Sequence, residues 1–300
     1  MGLETDLNLA SDFELHSPET VASAVALLDE SGDNTAVMAG GQSLTVLLTM
    51  GLAKPDVVVS LARCRQLVRE AEDDGELELG AMFTIRAAER SPMVTRLAPM
   101  LALSSAKVGS PHVRNFGTVV GSLCHADPGG DLSPAAICLD ARVVARSVTG
   151  VREIPLAEFH RGPYDNALSY GELATALRIP AVPNNVSVAY RKVVKRQGDL
   201  AIASVAVLLE ASGRRVERAR IAVSGLVTKP LRLSRLESEI EGSLLSSLVS
   251  IRLRDDMMSL ISDHLLADPD DPTDEEYKRA LAPRLVGQVI AEAAVGGGSM

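Results

Sequence analysis

The sequence predicts an α+β protein: a mixed N-terminal domain over residues 1–182, then a smaller domain over 183–295. Three observations carry this. Strand-type runs and helical stretches are mixed through the first 180 residues. The run from Pro180 to Asn185, PAVPNN, breaks periodicity and marks a boundary. Beyond it, Val186–Val194, Ala201–Glu210 and Val216–Ser224 read as a three-stranded antiparallel sheet, followed by polar helices.

The elements follow in order. Residues 17–30 read as a helix, with Ser17 suited to the N-cap and Pro18 to the first helical position. Val21, Val25 and Leu28 form its apolar stripe. Residues 35–39 are a short buried strand, followed by a double-glycine turn and an apolar stretch from Leu44 to Leu52, helical or extended. Residues 55–60 are a second strand and Glu76–Leu79 a third. Residues 91–109, rich in Ala, Leu and Ser, read as a helix. Val113 to Asp131 has little periodicity and much Gly, Pro, Ser and Asp, and reads as a long loop of the kind that carries function. Residues 141–155 resemble a hairpin turning at Thr149–Gly150. In the second domain, helices are expected over Leu231–Glu241 and Leu244–Leu265. A last helix starts at Thr273, whose spacing to Glu276 makes a capping box. Pro283 should kink or interrupt it, and the glycine-rich tail should fray.

Composition narrows the function. The chain has 300 residues, 46% hydrophobic and 23% charged, which excludes wholesale disorder. A net charge of −9 argues against a general nucleic-acid binder, and the absence of Trp against a base-stacking platform. The longest apolar runs, such as 201–209, are too short to cross a bilayer, and no signal peptide is visible. Cys64, Cys124 and Cys138 form no CxxC pair, and the five histidines form no metal-binding pattern, so no metal site is expected. The sparse, odd cysteine count suggests a reducing cytoplasm.

Two glycine motifs carry candidate chemistry. The first is Ala39-Gly40-Gly41-Gln42-Ser43-Leu44, directly after a strand. Glycines there let the backbone approach an anion, and successive N–H groups can nest phosphate oxygens. Ser43 adds a hydroxyl. The second runs RNFGTVVGSLCHADPGGDLSP from Arg114 to Pro134. Thr118, Gly121 and Ser122 suit a second set of phosphate or ribityl oxygens, and Asp131 suits sugar-type hydroxyls. Alone, either segment is also readable as a plain turn.

Together and in this order, the motifs resemble the FAD-binding subunit of the molybdenum hydroxylases, of the carbon-monoxide-dehydrogenase medium-chain type. That family carries AGGHS or AGGQS in the first loop and RNxGTIGGxxxxADPxxDLP in the second. Residues 172–180, ELATALRIP, and 190–207, YRKVVKRQGDLAIASVAV, extend the resemblance over roughly residues 10–292. It implies a two-lobed FAD-binding domain of the PCMH type and a smaller C-terminal domain. The loop 39–44 would hold the FAD pyrophosphate, with Thr118, Gly121 and Ser122 as the second contact. Asp131 would accept from the ribityl chain, Lys192 would sit at the flavin pyrimidine edge, and Leu200 against the ring. His125 could also touch the cofactor, whereas Cys124 reads as a small buried residue and not a flavin-linking thiol. Val120 stands where the family has a second glycine; if that position needs positive φ or close backbone approach, FAD binding is weakened.

The resemblance further implies that substrate hydroxylation lies on a large subunit with a molybdenum cofactor, so no catalytic residue is expected here. Electrons would come from two [2Fe–2S] clusters on a small subunit and leave to an external acceptor. The complex would be a heterotrimer, open to pairing as a dimer of heterotrimers. Two alternatives remain at this stage: a free-standing FAD-dependent oxidase or reductase, and a flavin-free assembly subunit.

Overall fold

The computed structural model describes residues 12–251 and 274–297. The chain opens with β1 (Glu14–His16), α1 (Val21–Glu30), β2 (Thr35–Met38), α2 (Leu44–Thr49) and β3 (Val57–Ser60). The strands form a parallel sheet in the order β1-β3-β2. Parallel neighbours need crossovers, which α1 and α2 supply. Helix α1 starts later than expected: Thr20, not Ser17, is the N-cap, and its Oγ1 accepts from the Ser23 N–H at 3.1 Å. Pro18 lies ahead of the helix, where its carbonyl accepts from the Cys64 thiol.

A second lobe follows. It comprises β4 (Glu70–Asp73), β5 (Glu76–Gly80), α3 (Ile85–Arg90), α4 (Pro92–Leu97), α5 (Pro99–Ser105), α6 (Pro111–Phe116), α7 (Val119–His125) and α8 (Leu132–Cys138). Then come β6 (Arg142–Ser147), β7 (Gly150–Pro155), α9 (Leu156–Phe159), β8 (His160–Gly162), β9 (Asp165–Asn166) and β10 (Leu173–Pro180). Five strands form an antiparallel sheet in the order β4-β5-β10-β6-β7. The expected hairpin is β6–β7, closing with Ser147 opposite Gly150.

Two expectations in this lobe are corrected. The single helix over 91–109 is two helices, broken at Ala98 with φ −142° and ψ 58°. Pro99 disfavours helical backbone in the residue before it, so the chain must restart. The long loop over 113–131 is largely helical, as α6 and α7. Ser110 caps α6 and Thr118 caps α7. Helices of six and seven residues complete fewer than two turns, too few for an apolar stripe to repeat.

The C-terminal sheet is β11 (Val186–Val193), β12 (Ala203–Ser212), β13 (Arg215–Ser224) and β14 (Leu231–Arg232), antiparallel and in that order. The expected three strands are present, and a short fourth occupies the start of the stretch expected to be helical. The helix there is α10 (Ser234–Ile240), followed by α11 (Leu245–Leu248) and α12 (Asp274–Gly297). Helix α12 continues through Pro283. The Thr273 cap, the far end of the helix expected to Leu265, and the last three residues lie outside the described residues.

This sheet is buried on both faces. Val205, Val207 and Leu209 of β12 pack with Val286, Val289 and Ile290 of α12. Ala206 and Leu208 point the other way and join the core of the first domain, with Leu101, Leu132 and Leu177. Double burial explains the unbroken apolar run in β12, which an amphipathic strand would not show. No helix among the described residues is long and apolar enough to cross a membrane.

Candidate cofactor-binding cleft

The two glycine motifs, far apart in sequence, line one cleft of about 280 Å³. That is near the low end for ligand sites, which run roughly 300–1,000 Å³. All of Ala39, Gly40, Gly41, Gln42, Ser43 and Leu44 line it, and Thr118, Gly121 and Ser122 face them. The apolar walls come from Leu47, Leu61, Ile85, Leu168 and Leu173. No motif announced these, because they are single residues on separate elements.

The first loop is shaped for close approach. Gly41 has φ +71°, which side chains rarely adopt. A Cβ on Gly40 would lie 2.7 Å from the Phe116 carbonyl carbon and 2.9 Å from the Gly117 Cα. The absent side chain at Gly40 therefore lets the two motifs touch. Among the described residues, the N–H groups of Gly40, Gly41, Gln42, Ser43 and Leu44 meet no protein acceptor. Five adjacent free donors at a turn suit an anionic oxygen. Glu172 on the far wall is tied to Arg152 at 2.6 Å, which holds its carboxyl below the usual range.

The second motif meets the cleft through the start of α7. Thr118 is 2% exposed, and its Oγ1 accepts from the Gly121 N–H at 3.0 Å. The Ser122 N–H donates to the Thr118 carbonyl at 3.0 Å. Both amides are thus engaged within α7, whereas the Val120 N–H and the Thr118 and Ser122 hydroxyls donate to no acceptor among the described residues. Val120 is helical and packed in the core, 1% exposed, without positive φ. Positive φ is therefore not required at Val120, which also lines the cleft.

The hairpin β8–β9 holds the far end of α7. The His160 Nε2 bonds the Leu123 carbonyl at 2.9 Å, Asn166 Nδ2 donates to Cys124 O at 2.8 Å, and the Tyr164 N–H donates to Ala126 O at 2.9 Å. Three carbonyls at the end of α7, where helical partners run out, are met in this way. The bond to Leu123 O requires hydrogen on Nε2. Burial pushes the His160 pKa down, against the Leu123 bond. A lowered folded-state value means the unfolded chain binds the proton more readily. The stability from neutral His160 is present above about pH 6.5 and fades as pH falls below it. Wild type should therefore lose melting temperature between pH 7 and 5.5. His160→Gln, which keeps a donor without titrating, should flatten that loss; parallel profiles in a thermal melt would contradict it.

Asp131 and Lys192 lie together but do not line the cleft. Asp131 is 4% exposed; its Oδ1 accepts from the Tyr190 hydroxyl at 2.8 Å and its Oδ2 from Lys192 Nζ at 2.9 Å. Burial pushes the Asp131 carboxyl up, and the Lys192 ammonium opposes it. Lys192 Nζ also donates to the Asp199 carbonyl at 3.2 Å. Leu200 is 59% exposed, also outside the lining. Cys124 and His125 do line the cleft. Burial pushes the Cys124 thiol up to about 12, so almost none is thiolate at neutral pH. Among the described residues no group of three His, Cys, Asp or Glu could hold a metal ion.

Residues 11–182 match the family described as FAD binding domain in molybdopterin dehydrogenase, and residues 188–293 the CO dehydrogenase flavoprotein C-terminal domain. The carbon monoxide dehydrogenase medium chain of Hydrogenophaga pseudoflava is 30% identical over 93% of this chain and 96% of its own. The nicotine 6-hydroxylase medium subunit of Paenarthrobacter nicotinovorans is 34% identical over 92% and 95%. Among solved structures, quinoline 2-oxidoreductase from Pseudomonas putida 86 superposes with a TM-score of 0.85 at 28% identity, over 96% of this chain and 98% of that one. The cleft built by two glycine motifs and the matches along nearly the whole chain agree: the chain belongs to the FAD-binding subunits of the molybdenum-containing dehydrogenases.

Proposed function

We propose that this chain is the electron-relay subunit of a molybdenum hydroxylase, with FAD held in the cleft between the two glycine motifs. The observation that carries the reading is the row of free N–H groups from Gly40 to Leu44, facing a cleft whose other wall is the second motif. These amides, with Ala39 and Ser43 beside them, would bind the pyrophosphate. The hydroxyls of Thr118 and Ser122 would hold the cofactor from the other side, and the apolar walls exclude water. Leu200, apolar yet exposed, suits a ring surface, and the paired Lys192 and Asp131 would stand near the flavin end. FAD, when bound, would take electrons from [2Fe–2S] clusters on a small subunit and pass them to an external acceptor. A large subunit would carry the molybdenum cofactor. Residues 1–182 would form the FAD-binding domain and 183–295 the C-terminal domain, in a cytoplasmic complex.

The test is spectroscopic. The chain alone should bind FAD one to one, without covalent linkage, and the flavin band should stay oxidised with carbon monoxide, nicotine or caffeine. After reconstitution with the iron–sulfur and molybdenum subunits encoded beside it, the complex's substrate should bleach that band. Bleaching in the isolated chain would favour a free-standing oxidase; failure to bind FAD would favour an assembly subunit.

A further inference from the structure

The turn after α7 is gripped by the second domain at four successive residues. Pro128 O accepts from the Gly225 N–H at 2.6 Å and Gly129 O from the Ala201 N–H at 3.4 Å. Gly130 O accepts from Ser224 Oγ at 3.1 Å. Asp131 takes its bonds from Tyr190 and Lys192.

The side chains that grip form one patch. Lys192, Ser204 and Ser224 stand opposite one another across β11, β12 and β13. Tyr190 lies two residues before Lys192, so it points to the same face. Ser204 and Ser224 are fully buried, and their hydroxyls share a bond of 2.8 Å. Because Ser224 donates its one hydrogen to Gly130, Ser204 must donate to Ser224. Buried hydroxyls in an apolar sheet are unfavourable unless their bonds are made. Here the chain of bonds ends on the turn. The neighbouring pair on that face, Ala206 and Ala222, carries no polar atom in its side chains.

We infer that Tyr190 and Ser224, backed by Ser204, are positioning residues of the cofactor cleft, supplied by the C-terminal domain. None of the three lines the cleft. They fix the turn at 128–131, and the turn fixes the end of α7, whose Ser122, Cys124 and His125 wall the cleft. The inference rests on the FAD reading above. It means that the second domain completes the first domain's binding site without touching the ligand through these side chains.

Tyr190→Phe and Ser224→Ala each remove one hydroxyl and little volume. FAD is titrated into the deflavinated full chain, wild type and double variant, well below either melting temperature. The double variant should bind FAD roughly tenfold or more weakly. Its amide hydrogen exchange should rise over residues 119–131 and stay unchanged in β12 and α12. A lowered melting temperature with unchanged affinity and unchanged local exchange would overturn the inference, because the hydroxyls would then only stabilise the fold. If the double variant is insoluble, Tyr190→Phe alone is read by the same criteria. Should wild type bind no FAD, the function reading fails. Exchange over 119–131 then decides the positioning role by itself: a rise supports it, and no rise overturns it.

Discussion

Gly40→Ala should purify without flavin and melt well below the wild type. The added Cβ meets the carbonyl of Phe116 and the Cα of Gly117, both backbone atoms. A flexible side chain could rotate away from such an overlap; a backbone carbonyl held by neighbouring hydrogen bonds cannot. Gly117 N–H donates to Val113 O at 2.7 Å, and Ile85 N–H donates to Gly117 O at 2.9 Å. The two motifs must therefore move apart. Overpacking of a well-packed site costs about 1–3 kcal/mol and occasionally more. The larger effect falls on binding, since the cleft exists only where the motifs meet. Gly41→Ala is the internal comparison. Its burden is positive φ, about 1–2 kcal/mol, with the nearest atom the mobile Thr45 hydroxyl at 3.1 Å. Flavin content from the absorbance ratio should rank wild type, Gly41→Ala, Gly40→Ala. Stoichiometric flavin in Gly40→Ala would refute the loop–loop contact.

Asp131→Ala should destabilise the chain by about 3–5 kcal/mol, the cost of breaking a buried ion pair and stranding one charge. The stranded group is Lys192, whose side chain is 10% exposed. The buried Tyr190 hydroxyl loses its acceptor in the same step. Asp131→Asn keeps an oxygen for Tyr190 and should lose less. Joining Lys192→Met to Asp131→Ala removes the stranded charge and should recover part of the loss. Thermal melts of the singles and the double give the coupling directly. A double variant as unstable as the sum of the singles would mean that the pair is not coupled.

The chemistry that sits within one short segment was legible in the sequence. AGGQS after a strand, and the second motif with its Thr118, Gly121 and Ser122, name a site without any knowledge of distant contacts. The fold brings both segments to one cleft. What the sequence concealed was of two kinds. Short helices hide because α6 and α7 end before an apolar stripe can recur, and the glycines around them read as loop. Long-range pairs hide because nothing local records them: Tyr190 meets Asp131 across 59 residues, and Ser224 meets Gly130 across 94. Asp131 was identifiable as an acceptor from its motif, but its donors were not. At Val120 a departure from the motif raised the question of positive φ, and the backbone there is ordinary helix.

The position of β10 bears on the order in which the first domain can form. It is the last strand of that domain in the chain and lies at the centre of the five-stranded sheet, between β5 and β6. Its pairing with β5 joins Arg178 to Glu78 across 100 residues. During synthesis, β4–β5 and β6–β7 can each close as local hairpins as soon as they emerge. Neither can find the other until β10 has left the ribosome. Until then β5 and β6 each present an open, apolar edge, the kind that pairs with other chains. Joining over such separations is also slow. The nascent chain thus passes through a window in which this sheet is two exposed halves, closed by the strand that immediately precedes the second domain.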